Sequence, residues 1–134
     1  MPDSTHRLAR AQLFLTHIGR GDFLQAIDLL SENVTYRAQG NNALAGSFTG
    51  RDAVIRHLTE LVERTKGTFE AFKWEDWLIG EHHVVGLSSI HAQSHGRIYK
   101  GRSLTVLGFN VAEEIEHITV FFEDQNAIDR FIGP

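Results

Sequence analysis

The hydrophobic period of this chain changes once, and that change constrains its fold more than any other feature. Through most of the first 66 residues apolar side chains recur at helical spacing, whereas from Thr68 onward they alternate with a period of two. Helices gathered first and strands gathered after predict an α+β domain in which helices cover one face of a curved antiparallel sheet. A sheet covered in that way can hold a cavity.

Leu8, Ala11, Gln12, Leu15 and Ile18, with Phe14 on the flank, predict an amphipathic helix over residues 5–19, with Asp3 or Ser4 available as its cap and Gly19 and Gly21 ending it. Asp22 can cap a second, short helix whose apolar positions are Phe23, Ala26, Ile27 and Leu30. Asn33 to Ala38 alternates like a strand, and Gln39 to Gly50 is rich in Gly, Asn and Ala, as a loop is. Val54, Ile55, Leu58, Leu61 and Val62 define a third helix from Arg51 to about Lys66, with Gly67 suited to the position after its last turn. Four strands follow near 69–79, 82–95, 98–111 and 114–123, separated by Gly80-Glu81, His95-Gly96-Arg97 and Ala112-Glu113, and Gln125 to Phe131 reads as a closing helical turn. With no linker or repeat, residues 1–134 read as a single domain.

Charge and composition exclude several function classes. A net charge of −4, with thirteen basic residues scattered along the chain, argues against nucleic acid as a partner. No run approaches the roughly twenty apolar residues of a membrane span, and the first residues lack a signal-peptide apolar segment, so a cytoplasmic protein is expected. Without cysteine there is no disulfide, thiolate nucleophile or cysteine-based zinc site. His91 and His95 would lie roughly 13 Å apart on a strand, and adjacent His82 and His83 face opposite sides, so no metal is expected. Neither a GxGxxG nor a GxxxxGK string occurs, and no cofactor is expected.

The order helix, helix, strand, glycine loop, then Gly50-Arg51-Asp52-Ala53-Val54 opening a helix, four strands, and the closing stretch from Phe122 to Phe131, resembles the SnoaL-like branch of the nuclear transport factor 2-like superfamily over nearly the whole chain. The resemblance implies a cone-shaped, curved antiparallel sheet packed against about three helices, an internal pocket, and a homodimer. It spans steroid isomerases, polyketide cyclases, dehydratases, epoxide hydrolases and binding modules, so it leaves the activity open. At the positions matching the steroid-isomerase tyrosine, base and protonated aspartate stand Phe14, Arg37 or Ala38, and Thr105, and all three functional groups are missing. Of the epoxide-hydrolase set, Tyr36 matches the tyrosine, Ala38 stands at the asparagine, His91 at the arginine, and Gln93 and Glu123 at the two aspartates.

Strand parity puts Val85, Leu87, Ser89, His91 and Gln93 on one face, expected to be shared with Ser103, Thr105, Leu107 and Phe109 and with His117, Thr119, Phe121 and Glu123. His91 is the leading acid/base candidate, because imidazole is the side chain most easily poised near neutral pH. Glu123 would orient it, and Tyr36 would donate to a developing oxyanion. Beside this stand plainer readings: His91 as a structural histidine, Glu123 as a helix cap or solvated acid, Tyr36 as a core aromatic. Phe14, Ile18, Ala38 and Leu58 would wall the pocket, with Ser89, Gln93 and Thr105 as its polar contacts and Leu107, Phe109 and Phe121 completing it. Trp74 and Trp77, three apart, fall on opposite faces of a regular strand, so one would wall the pocket and the other lie at a subunit contact or fill core. The last strand carries large apolar groups on both faces, which predicts a second subunit against the outer face. The leading expectation is a cofactor-free acid/base isomerase, cyclase or dehydratase acting on a small apolar oxygenated molecule. The alternatives are a non-catalytic ligand-binding or dimerisation module and, more weakly, an epoxide hydrolase.

Overall fold

The computed structural model describes residues 4–66 and 70–134. They form α1 (Ser4–Arg20), α2 (Phe23–Ile27), β1 (Leu30–Ala38), β2 (Gly46–Thr49), α3 (Arg51–Arg64), β3 (Glu70–Ile79), β4 (His83–Ser94), β5 (Arg97–Phe109), β6 (Ile115–Phe122) and α4 (Gln125–Ile132). Helix α1 ends where Gly21 takes a φ of +76° and lets the Asp22 amide reach back to the His17 carbonyl at 2.8 Å. Asp22 does precede α2, but its side chain makes no capping bond; its carbonyl accepts from the Ala26 amide at 3.1 Å instead. The cap of α4 is Asp124, whose carboxylate accepts from the Ala127 amide at 3.0 Å. The expected stop of α3 at Gly67 lies outside the described residues.

The strands make one curved sheet, not closed into a barrel, in the order β2-β1-β6-β5-β4-β3. The expected antiparallel meander covers β3 to β6, while β1 joins β6 in parallel and carries β2 antiparallel on its other side. Strand β2 lies inside the stretch expected to be loop. Four residues are too few for alternation to stand out beside Gly, Asn and Ala, and pairing with β1 supplies what local pattern does not, setting Phe48 opposite Tyr36.

Strand β3 corrects the tryptophan expectation. Its register shifts between Ala71 and Lys73 and again between Trp74 and Asp76, and a bulge moves later residues to the other face. Trp74 and Trp77 therefore stand on the same side, opposite Ser88 and Gly86, with their rings stacked at 4.8 Å. Gly86 makes room for them: a Cβ there would sit 2.6 Å from Trp74 and 2.8 Å from Trp77.

Helices α1 and α3 cover the inner face, and the main core, including Phe14, Leu30, Val54, Leu107 and Ile118, lies between. Buried Arg7 fixes α1 to the end of the sheet. Its Nε meets Glu113 Oε2 at 2.8 Å, and its guanidinium also donates to the Glu81 carbonyl, so it ties together the turns after β3 and β5. A smaller cluster of Ile90, Ala92, Tyr99, Ile128 and Phe131 seats α4. Among the described residues no helix is long and apolar enough to cross a membrane.

Candidate functional site

A cavity of about 340 Å³ lies between the inner face of the sheet and helices α1 and α3. Tyr36 enters it from β1, whose inward positions Val34 and Tyr36 are buried. Opposite stands His57 on α3, at a spacing (54, 57, 58, 61) that places it on the helix's apolar stripe with Val54, Leu58 and Leu61. The imidazole stacks on Phe48 of β2 at 4.3 Å and lies 4.8 Å from the Tyr36 ring. Its Nδ1 is buried and has no hydrogen-bond partner among the described residues.

Burial sets the charge state of both groups. It lowers the His57 pKa to about 4, against a weaker opposing pull from Glu60, and pushes the Tyr36 hydroxyl up to about 12. At neutral pH the cavity thus holds an uncharged imidazole and an uncharged phenol. The rest of its described lining contains no Asp, Glu, Lys or Arg: Phe14, Ile18, Leu58, Trp74, Val120 and Phe122 give it apolar walls, and Ser88, Ser103 and Thr105 add hydroxyls from β4 and β5. Gln39 and Asn42 stand at its edge, where the loop after β1 is held to α4. Asp129 accepts from Asn42 at 2.7 Å and from Gln125 at 2.9 Å. Burial acts to raise the Asp129 pKa, but these hydrogen bonds and one from the Asn41 backbone outweigh it and hold the carboxyl below its ordinary value.

The structure brings together only part of the expected constellation. Tyr36, Phe14, Ile18, Ala38, Leu58, Trp74 and Thr105 all line the cavity. His91, Ser89 and Gln93 do not, because the side of β4 that faces the helices is Val84, Gly86, Ser88, Ile90, Ala92 and Ser94. The cause is the hairpin between β4 and β5. His95 and Gly96 take φ values of +50° and +77° in a two-residue turn, where the sequence predicts three residues, and this pairs Ser94 with Arg97. Even positions of β4 then oppose odd positions of β5, as in Ser88 with Ser103 and Gly86 with Thr105. A slip of one residue exchanges the faces of a whole strand.

The same parity holds between β5 and β6, where Thr105 pairs with Val120 and Ser103 with Phe122, so Phe121 points outward and is 45% exposed. Glu123 is exposed too, and accepts from Arg102 Nη2 at 2.6 Å and Nε at 2.9 Å. Ser89 donates to Glu75 at 3.2 Å on that outer side. Leu107 and Phe109 are buried in the main core and Trp77 packs against it, and none of the three lines the cavity. The epoxide-hydrolase correspondence fails on this geometry, because His91, Gln93 and Glu123 are all away from Tyr36. Sequence reasoning misses His57, although a titratable residue on the apolar stripe of an amphipathic helix is the signal that points to it.

Helices laid over a curved open sheet around a cavity define the nuclear transport factor 2-like, cystatin-like fold, and this chain has it. No protein-family model and no curated protein matches the sequence. Solved structures match over nearly its full length. Bal32a, from a soil-derived mobile gene cassette, is 22% identical with a TM-score of 0.90, covering 96% of this chain and 98% of that one. An NTF2-like protein from Burkholderia xenovorans LB400 is 15% identical with a TM-score of 0.87, covering 98% of each chain. A Mycobacterium tuberculosis protein in complex with estradiol-17beta-hemisuccinate is 12% identical with a TM-score of 0.74, covering 90% of this chain and 95% of that one. Likeness at these identities establishes the fold.

Proposed function

We propose that the cavity takes a neutral, largely apolar molecule bearing an oxygen, and that Tyr36 and His57 carry out cofactor-free proton transfer on it, in the manner of a SnoaL-like isomerase, cyclase or dehydratase. The observation that carries this reading is His57: an uncharged imidazole whose buried Nδ1 has no partner among the described residues, beside Tyr36 in the same cavity. Neutral imidazole can take a proton from carbon next to a ligand carbonyl, while the Tyr36 hydroxyl donates to the oxygen on which negative charge develops. The imidazolium formed beside that anion then returns the proton at another position. The fold's capacity for a small-molecule ligand is supported by the M. tuberculosis protein in complex with estradiol-17beta-hemisuccinate.

The test does not depend on which product forms. Cyclic ketones and enones incubated with the protein in D2O should acquire deuterium at carbon next to the carbonyl, read by mass spectrometry, and His57→Ala should abolish the enhancement. Binding without any His57-dependent exchange would favour the second reading, a ligand-binding module without catalysis. That reading is supported by the absence of any carboxylate from the described lining.

We also propose that two copies pair through the outer face of the sheet. There Leu87, Leu104 and Phe121 form one cross-strand row, with Leu104 39% and Phe121 45% exposed. Light scattering should give twice the chain mass for the unaltered protein and the single-chain mass for Phe121→Glu. A monomeric unaltered protein would reject the pairing.

A further inference from the structure

We propose that the far end of the same cavity holds a second, uncharged hydrogen-bonding subsite, the Ser88–Ser103 hydroxyl pair with Thr105 beside it. The ligand is then a flat neutral molecule with one oxygen at Tyr36 and His57 and another at its opposite end. The inference rests on the reading of the cavity as a ligand site and goes on to define the ligand's shape.

Ser88 and Ser103 are cross-strand partners, 0% and 3% exposed, with their Oγ atoms 3.1 Å apart. In such a pair one hydroxyl donates to the other, and one O–H hydrogen is left over. Thr105, two residues along β5 on the same face, is 6% exposed, and its side chain makes no hydrogen bond among the described residues. All three line the cavity, so donors without acceptors face it. Buried donors of this kind call for a partner, and a carbonyl or hydroxyl oxygen of a bound molecule supplies one.

The sheet sets the spacing between the two polar ends. Tyr36 is in register with Ile118 on β6, and Ile118 with Leu107 on β5, while Ser103 lies four residues further along β5. Strand rise and strand spacing then put the Tyr36 and Ser103 backbones about 16 Å apart. The side chains close part of that distance. Apart from the Thr105 hydroxyl, the lining along the way is apolar, with Val120 beside Thr105 and Phe122 beside Ser103 on β6, and Trp74 stands opposite Ser88 as a flat wall. A ligand that reaches both ends must be apolar in its middle, and a planar ring system fits beside the indole. Since neither end carries a formal charge at neutral pH, an ionised group has no counter-charge in the described lining.

The experiment titrates the protein with naphthalene and biphenyl carrying either one hydroxyl or one at each end, following tryptophan fluorescence because Trp74 lines the cavity. At the spacing that fits, the dihydroxy compound should bind about three- to tenfold tighter than its monohydroxy counterpart, the gain of one added hydrogen bond. The combined change Ser88→Ala, Ser103→Ala and Thr105→Val removes every hydroxyl of the subsite and should bring that ratio close to one, with circular dichroism confirming that the variant is folded. If no dihydroxy compound gains over its counterpart in the unaltered protein, or if the gain survives removal of all three hydroxyls, the subsite does not exist. Tyr36-dependent binding of the monohydroxy compounds without any such gain would reject the subsite and leave the cavity reading standing. Failure of every compound to bind would reject both.

Discussion

Protonation of His57 should cost this protein a measurable share of its stability. The residue is 5% exposed, and burial, opposed only weakly by Glu60, lowers its pKa from 6.5 to about 4. In the unfolded chain the imidazole titrates near its ordinary value of about 6.5. Between that value and about 4 the unfolded state therefore binds a proton that the native state does not, and stability falls as the pH is lowered. Above the unfolded value the two states agree and the effect vanishes; below the folded value it is complete. At about 1.4 kcal/mol per pH unit, the whole window amounts to about 3 kcal/mol. That is a large part of the 5–15 kcal/mol, roughly, that holds a typical domain together. The assay is urea unfolding of the unaltered protein and of His57→Gln at intervals between about pH 7 and pH 4.5. Every other ionisable group is common to both proteins, so the difference between the two profiles isolates the imidazole. The unaltered protein should lose about 2–3 kcal/mol more than the variant across that range. Parallel profiles would refute the claim that burial keeps His57 neutral.

Three further outcomes follow from the geometry. Gly86→Ala drives a methyl group into the stacked Trp74 and Trp77 and should destabilise by about 1–3 kcal/mol in urea unfolding, since small-to-large changes in packed sites cost that much. Gly40→Ala places a Cβ 2.3 Å from Asp129 Oδ1 at a φ of +97°, and should lower the melting temperature while loosening the loop at the cavity edge, seen as faster amide exchange over residues 39–45. His91→Ala and Glu123→Ala alter the outer side of the sheet, so fluorescence titration with a cavity ligand should give the affinity of the unaltered protein.

Periodicity carries the architecture, because burial on one face imposes it residue by residue. The stripe of Val54, Leu58 and Leu61, the alternation through β4 to β6 and the inward Ile128 and Phe131 are all legible in the amino-acid order alone. What the pattern does not carry is the phase of one strand against the next. Phase depends on the φ angles of His95 and Gly96 and on the bulges in β3, which local composition does not encode strongly. Strand parity by itself therefore puts His91 and Glu123 on the wrong side, and Trp74 and Trp77 on different ones. Polar residues also stand out in a sequence as candidate chemistry, while the residues of β4 that border the cavity are small or plain: Ser88 and Ile90 line it, and Gly86 admits the tryptophans. Tyr36 is legible because β1 is regular across it, and Phe48 is not because its strand exists only by virtue of a partner.

The turn at His95 and Gly96 acts as a parity switch. Insertions at surface hairpins are ordinarily among the mildest changes a protein undergoes. Here one added residue would exchange Ser88 and Ile90 for Ser89 and His91 at the cavity wall unless a bulge absorbed it, whereas two added residues would leave the lining as it stands. Odd and even insertions at this site therefore belong to different classes of change. The first rewrites the chemistry of the interior without altering any residue that touches it, and the second lengthens a loop.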